Sequence, residues 1–201
     1  MTKTPQPATR KRVAVLISGR GSNMAALIEA SAMPGYPAAI AVVISNKPDA
    51  AGLDFARKSG IPTATLTQKS FPSREEFDRA VHAVLLARNI EIVALAGFMR
   101  ILSPWFCEQW QGRMINIHPS LLPAYKGLDT HARALAAGEK EHGCTVHFVT
   151  PALDDGPTIL QARVPVLADD TEATLAARVL AEEHRIYPEA LAMLAGGRVA
   201  L

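Results

Sequence analysis

Residues 12–24 read RVAVLISGRGSNM, an apolar run that leads directly into a glycine-containing loop. Residues 12–18 are rich in β-branched residues without polar alternation, as in a strand covered on both faces of a parallel sheet. The two glycines allow a sharp turn, and the helix that follows offers free backbone N–H groups to an anion. The stretch therefore predicts a strand, a tight loop and a helix, with a phosphate site between strand and helix as one possibility.

The same alternation continues along the chain. Apolar runs recur as IAVVISN (40–46), TATLT (63–67), EIVALAG (91–97) and RMINIH (113–118). Helix signals stand between most of them: a capping box at Ser73, a helix end at Gly60, and an N-cap at Ser103 followed by Pro104. Alternating strands and helices predict an α/β fold with an open, mostly parallel twisted sheet and helices on both faces.

The pattern changes after His118. Next comes a helical stretch over residues 131–137. It is followed by two strand-like runs, CTVHFVT and TILQARVPV, and by a long closing helix from about Thr171. Pro188 is expected to kink or divide that helix. Neither repeats nor an interdomain linker appear, so residues 11–201 are predicted to form a single domain after a disordered tail of residues 1–10.

The amino-acid composition limits the kinds of binding partner that the protein can have. A formal net charge of +2 is too small to attract nucleic acid or an acidic membrane, so an anionic ligand would be bound locally. The sequence has only two cysteines, Cys107 and Cys144, and no apolar span of membrane length. These features favour a cytoplasmic protein with free thiols.

The glycine loop has more than one interpretation. A dinucleotide fingerprint needs a third glycine where Met24 stands, and no acidic residue clearly ends the second strand, which disfavours nicotinamide cofactors. Gly21, Ser22 and Asn23 could bind a phosphomonoester, or they could form a turn and an N-cap.

A second group of polar residues lies at the end of the predicted strand in INIHPSLLPAYKG, residues 115–127. Asn116 and His118 are two residues apart, so a strand places both side chains on one face, and Pro119 ends the strand there. Asp154 falls in a turn between two later strands, where an aspartate is common for conformational reasons alone. A carboxylate, an imidazole and an amide together suggest acid/base chemistry with oxyanion stabilisation.

A family resemblance covers residues 12–196. The motifs LISGRGSN, SNKPDAAGLDFARKSGI, SREEFD, LAGFMRILSP, INIHPSLLPAYKG, EHGCTVHFVT, LDDGPTILQARVPV and EEHRIYP, in this order, resemble the phosphoribosylglycinamide formyltransferases of purine synthesis. The resemblance implies their Rossmann-like fold and transfer of a formyl group from 10-formyltetrahydrofolate to the glycyl amine of phosphoribosylglycinamide. It implies small-molecule substrates, no metal, no nucleic acid or membrane partner, and a monomer or homodimer.

The resemblance also implies roles for individual residues. Asn116, His118 and Asp154 match the catalytic trio. Gly21, Ser22, Asn23 and Glu183 match substrate-binding positions. The positions that match the folate site are Arg74, Met99, Arg100, Ile101, Leu102, Thr150, Pro151, Ala152 and Leu153.

Five of these residues also have a simpler structural interpretation. Glu183 could form an ion pair at the edge of an apolar helix stripe, and Arg74 could be an ordinary exposed residue. Met99, Ile101 and Leu102 would usually belong to a core.

Some positions depart from the family pattern. Pro151 replaces a usually acidic residue, and Asp155 stands where glycine is common. Asp129 stands where some relatives have histidine, and His131 receives no firm role. His147 belongs to the strand before the Asp154 loop and could line the site or pack at the edge of the sheet. His142, Cys144 and His147 do not form a convincing metal set, because positions 144 and 147 of a strand face opposite sides.

Rival interpretations remain open at this point. A formyltetrahydrofolate hydrolase would share the asparagine, histidine and aspartate but is expected to carry an N-terminal regulatory domain. A methionyl-tRNA formyltransferase would be expected to carry a further C-terminal domain. A nonenzymatic module could use the glycine loop alone to bind a phosphate ligand, and a dinucleotide oxidoreductase is a rival on fold grounds.

Overall fold

The computed structural model describes residues 10–201. The strands are β1 (Lys11–Ile17), β2 (Ala38–Ser45), β3 (Thr63–Thr65), β4 (Ile92–Leu95), β5 (Met114–His118), β6 (Glu141–Phe148) and β7 (Thr158–Pro165). The helices are α1 (Ser22–Ser31), α2 (Ala51–Lys58), α3 (Arg74–Ala87), α4 (Pro104–Gln109), α5 (Thr130–Ala136) and α6 (Glu172–Ala195), and a short 3-10 turn spans Gln68–Ser70.

All seven strands form one sheet in the order β3-β2-β1-β4-β5-β6-β7. Neighbours from β3 through β5 are parallel, whereas β5–β6 and β6–β7 are antiparallel. The predicted open, mostly parallel α/β sheet is confirmed. β6 begins three residues before the predicted run, because its pairing with β7 extends back to Glu141.

Helices cover both faces of the sheet. Alternate residues of β1 enter two cores: Val13, Val15 and Ile17 on one face, Ala14 and Leu16 on the other. The first core contains buried side chains of α1, α2 and α6, and the second contains those of α3 and α4. Because β1 is covered on both sides, its run of apolar residues is continuous.

Capping motifs in the sequence predicted several helix ends correctly. The Ser73 hydroxyl accepts a hydrogen bond from Glu76 N at 3.1 Å, and the Ser103 hydroxyl accepts one from Phe106 N at 3.3 Å. Pro104 is the first residue of α4. Gly60 follows α2 with a φ of +74°, a conformation that glycine adopts without strain.

The expectation that Pro188 could divide the closing helix is wrong. α6 runs without interruption from Glu172 to Ala195 and contains Pro188. The residues around it are anchored on the sheet: Ile186 and Ala190 are buried, and the Tyr187 hydroxyl donates to the carbonyl oxygen of Leu95 over 2.8 Å. This packing outweighs the backbone hydrogen bond that proline removes.

The predicted disordered tail, residues 1–10, lies outside the described residues except for Arg10. The Arg10 Nε donates to the carbonyl oxygen of Ala38 over 3.0 Å. Across residues 10–201, no helix is long and apolar enough to cross a membrane.

Candidate active site

The first part of the site is the end of β5. Asn116 and His118 lie on the same face of the sheet, and the His118 side chain is only 7% exposed. His118 Nε2 is 3.0 Å from the carbonyl oxygen of Tyr125, and its Nδ1 is 3.4 Å from Asp154 Oδ2. Both ring nitrogens therefore face oxygen acceptors, and the ring can donate to both only as the imidazolium.

Asp154 comes from the loop between β6 and β7. Its backbone has a φ of +48°, and its side chain is 9% exposed. Besides facing His118, its Oδ2 accepts a hydrogen bond from the backbone N–H of Gly127 at 3.0 Å. The carboxylate therefore joins this loop to the loop after β5. The sequence prediction of a turn aspartate close to the histidine matches this geometry.

The structure adds His147 to this group. His147 pairs with Asn116 across β5 and β6, and its Nε2 lies 3.2 Å from Asn116 Nδ2. Its Nδ1 is 2.8 Å from the carbonyl oxygen of Phe148, so Nδ1 carries the proton and Nε2 accepts from the amide. Burial lowers the pKa of His147, which favours this neutral form.

His147 could have been found by the same argument that found Asn116. It lies one residue before the end of β6, in the strand that precedes the aspartate loop. What the sequence did not supply was the antiparallel pairing of β6 with β5, which places Asn116 opposite His147.

The glycine loop forms the second part of the site. Gly21 is the N-cap of α1 with a φ of +75°, and no side chain caps this helix. The alternative in which Ser22 and Asn23 act as N-cap residues is therefore wrong, because both lie inside the helix. The left-handed backbone at Gly21 favours glycine, and a Cβ at this position would in addition come within 3.2 Å of Gly52 Cα.

Asn23 connects this loop to α6. Its Nδ2 donates to Glu183 Oε2 over 2.6 Å, and its Oδ1 is buried without a partner among the described residues. Burial raises the pKa of the Glu183 carboxyl, and the bond from Asn23 opposes the shift. Glu183 is therefore hydrogen-bonded to a neutral amide. The helix pattern had suggested an ion pair at this position as the alternative.

A cavity adjoins the polar group at the end of β5. It has a volume of about 100 Å³ and is lined by side chains from both sequence-predicted folate segments together with Asn116 and His147. The predicted folate residues that line it are Arg100, Ile101, Leu102, Thr150, Pro151, Ala152 and Leu153. Asp154 also lines it, so the cavity opens onto the candidate reactive group.

Two predicted folate residues lie elsewhere. Met99 is 66% exposed and does not line the cavity, and Arg74 lines a neighbouring cavity instead. The alternative that Met99, Ile101 and Leu102 are core residues holds only for Leu102, because Ile101 is 55% exposed. The lining includes further apolar residues that were not singled out from the sequence: Leu95, Phe98, Cys107 and Val149.

Two further histidines, His131 and His142, lie near the site without joining it. Their rings meet edge to face, with ring centroids 5.2 Å apart. Burial lowers the pKa of both, to about 4 for His142. Within residues 10–201, no three histidine, cysteine or acidic side chains are grouped closely enough to hold a metal ion.

Comparison with known proteins identifies the class. Residues 11–191 match the sequence profile described as formyl transferase, so the chain belongs to the formyl transferase family. Within that family, the chain is 51% identical to the phosphoribosylglycinamide formyltransferase of Escherichia coli K12, over 93% of this chain and 88% of the relative. Its place is therefore among the phosphoribosylglycinamide formyltransferases.

Two further comparisons agree. The chain is 53% identical to the human trifunctional purine biosynthetic protein adenosine-3 over 96% of its own length, but it spans only 19% of that relative. A solved phosphoribosylglycinamide formyltransferase from Coxiella burnetii superimposes with a TM-score of 0.91 at 48% identity, covering 96% of this chain and 90% of that one.

Proposed function

We propose that this protein transfers the formyl group of 10-formyltetrahydrofolate to the glycyl amine of 5-phosphoribosylglycinamide. The products are formylglycinamide ribonucleotide and tetrahydrofolate. The observation that carries the proposal is that Asn116 and Asp154 line the cavity formed by the predicted folate segments, while His118 lies directly behind them, 3.4 Å from Asp154. Identity of about half with full-length formyltransferases over nearly the whole chain supports the same substrates.

The two substrates approach the trio from different elements. The folate co-substrate occupies the cavity between the segment after β4 and the loop after β6. The phosphate of the amine substrate binds at the start of α1, where Gly21, Ser22 and Asn23 offer backbone N–H groups and the positive end of the helix dipole. Glu183, next to Asn23, accepts hydrogen bonds from the sugar or amide part of the same substrate.

The transfer proceeds by direct attack. The lone pair of the glycyl amine forms a bond to the formyl carbon, and the carbonyl electrons move to its oxygen. The second N–H of the Asn116 amide donates a hydrogen bond to this oxyanion, and the positive charge of the protonated His118 ring stabilises it. The oxyanion then collapses, the bond to the folate nitrogen breaks, and the proton lost by the amine is delivered to that nitrogen, so tetrahydrofolate leaves as a neutral amine.

Asp154 and His147 hold the reacting groups in place. Asp154 faces His118 Nδ1 and orients the ring, while His147 accepts one N–H of Asn116 and leaves the other for the substrate oxygen. No bond between enzyme and formyl group is required at any step.

The proposal is tested by following tetrahydrofolate formation by absorbance. Purified protein is mixed with 10-formyltetrahydrofolate, with and without phosphoribosylglycinamide, and the His118→Ala variant is measured beside it. Release that requires the amine and is lost in the variant supports the transferase. Release without the amine indicates a hydrolase, and folate binding without release indicates a binding protein on this fold.

A further inference from the structure

Two loops meet at His118. The β5–α5 loop consists of residues 119–129, and the β6–β7 loop consists of residues 149–157. His118 Nε2 lies 3.0 Å from the carbonyl oxygen of Tyr125 in the first loop, and its Nδ1 lies 3.4 Å from Asp154 Oδ2 in the second. The imidazole is therefore held in this orientation from both sides only while the two loops keep their relative position.

Both loops contain unfavourable backbone conformations. Four non-glycine residues within residues 10–201 have a left-handed backbone, and three of them lie in these loops: Tyr125 with a φ of +55°, Asp129 with +56° and Asp154 with +48°. Residues with a side chain keep such conformations only where surrounding contacts fix them. Contacts between the loops must therefore outweigh this strain.

An ion pair joins the two loops beside Asp154. The Lys126 ammonium group pairs with Oδ1 of Asp155, and the next residue of the first loop, Gly127, donates its backbone N–H to Asp154 Oδ2 over 3.0 Å. Residues 126 and 127 thus contact residues 155 and 154 in turn. Within residues 10–201, no other lysine or arginine forms an ion pair between these loops.

The backbone of Lys126 is fixed independently of its side chain. Arg133 Nη1, on α5, donates to the carbonyl oxygen of Lys126 over 2.7 Å. The side chains of Lys126 and Asp155 are 36% and 55% exposed, so solvent screens their attraction and the pair can open. Asp155 is one of the positions at which the sequence departs from the family pattern, and the proposed reaction gives it no role.

We propose that Lys126 and Asp155 are positioning residues, whose ion pair holds the β5–α5 loop against the β6–β7 loop and so keeps His118 and Asp154 in their reactive arrangement. The kinetic consequence rests on the proposed function, whereas the contact between the loops can be measured without turnover. Because the strained backbone opposes the contacts, the closed arrangement is only modestly favoured, and losing the pair lowers its population.

Amide hydrogen exchange at Gly127 tests the contact itself, because this N–H is bonded to Asp154 only while the loops are together. We expect Lys126→Met and Asp155→Asn each to accelerate exchange by about two- to fivefold, the range of an exposed ion pair. The double variant should exchange no faster than the faster single variant. Unchanged exchange in both single variants, or a double variant that shows the product of the two effects, would overturn the proposal.

Steady-state kinetics test the positioning role. Lys126→Met and Asp155→Asn should each lower kcat by up to about fivefold and leave the KM of both substrates unchanged, because neither side chain contacts a substrate. Faster exchange with an unchanged kcat would overturn the positioning role. A higher KM in Lys126→Met alone would show that Lys126 binds a substrate, which would also overturn it. Absence of formyl transfer in the wild-type protein would contradict the proposed function, and exchange at Gly127 would still decide whether the ion pair holds the loops.

Exchanging the two charges provides a rescue. Lys126→Asp combined with Asp155→Lys should recover part of the lost kcat and of the protection of Gly127, and neither position has a left-handed backbone that would restrict the new residue. Raising the salt concentration should accelerate exchange at Gly127 in the wild-type protein and leave Lys126→Met unaffected.

Glu141→Gln is the matched control. Glu141 pairs with Arg163 over 3.0 Å, and both side chains are exposed. This pair lies at the start of β6, the opposite end of the strand from the β6–β7 loop, so its loss should change neither exchange at Gly127 nor kcat. Effects in Glu141→Gln equal to those in Asp155→Asn would indicate a general charge effect and overturn the proposal.

Discussion

The side-chain amide of Asn116 lies 3.2 Å from Nε2 of His147, and the two residues oppose each other across β5 and β6. His147 is in turn fixed through Nδ1 by the carbonyl oxygen of Phe148. The orientation of the amide is therefore set by a residue on the neighbouring strand. We infer that His147 is a positioning residue for Asn116 in the proposed reaction.

Replacing His147 should lower turnover through Asn116. We expect His147→Leu to reduce kcat by up to about tenfold, the value of one hydrogen bond, with a much smaller change in KM. His147→Gln offers an acceptor for the same amide N–H and should recover part of the loss. Steady-state kinetics of the two variants check this, and equal losses in both would show that His147 acts only through packing.

Removing the amide itself should have a larger effect. Loss of one oxyanion donor generally costs about a hundred- to a thousandfold in rate, so Asn116→Ala should lose at least that much in kcat. Asn116 is partly exposed, and the variant should remain folded with a similar thermal unfolding midpoint. Near-normal turnover in a folded Asn116→Ala protein would remove Asn116 from the catalytic trio.

His118 and Asp154 should behave as one unit. Their side chains are 3.4 Å apart and both are almost fully buried, so each depends on the other for its orientation. We expect His118→Ala and Asp154→Asn each to lower kcat by about a hundredfold or more. The double variant should be close to the worse single variant, and a product of the two losses would show independent roles.

Glu183 should give the protein a distinctive dependence on pH. Burial raises the pKa of this carboxyl above its ordinary value of 4.5, so between 4.5 and the raised value the folded state binds more protons than the unfolded state. The free energy of unfolding should therefore fall as the pH rises through this window. Urea denaturation of Glu183→Gln across the same pH range should show a flatter profile, because glutamine does not titrate.

Glu189→Gln is the control for that experiment. Glu189 lies on the same helix with its side chain 53% exposed, and it should leave the pH profile of the wild-type protein nearly unchanged. A Glu183→Gln profile as steep as that of Glu189→Gln would contradict the assignment of the pH dependence to Glu183.

Gly156 should be irreplaceable in the loop that carries Asp154. A Cβ at this position would lie 1.7 Å from the carbonyl oxygen of Phe148, so the backbone of the loop must move to accept alanine. We expect Gly156→Ala to lower kcat by about a hundredfold, because a shift of this size displaces Asp154 from His118. Gly138→Ala, which meets no atom within 4 Å, should retain activity despite its left-handed backbone.

The sequence predicted those structural features that depend on residues close together along the chain. The buried strands, the caps at Ser73 and Ser103, and the shared face of Asn116 and His118 all follow from local periodicity. The order of the strands and the antiparallel direction of β6 and β7 depend on distant pairing and were not predicted. That pairing is also what brings His147 to Asn116.

Other differences between the predicted and the observed structure also arise from packing between distant parts of the chain. Pro188 stays inside a continuous helix because α6 packs against the sheet, and no local rule contains that packing. Ile101 and Met99 are exposed although their residue type favours the core, because the segment after β4 passes along the rim of the cavity. The bond from Asn23 to Glu183 joins two helices that no sequence pattern links.

That bond has a consequence for how the protein assembles. Asn23 and Glu183 are 160 residues apart, whereas His118 ends β5 and Asp154 lies in the loop between β6 and β7, so both belong to one stretch of consecutive strands. Contacts between distant residues close large loops and form late in folding, so His118 and Asp154 can be in place before the proposed phosphate site at the start of α1 is complete. Hydrogen exchange should accordingly find the contact between α1 and α6 opening more readily than the β5–β6 pair, which makes substrate capture the first property lost under mild destabilisation.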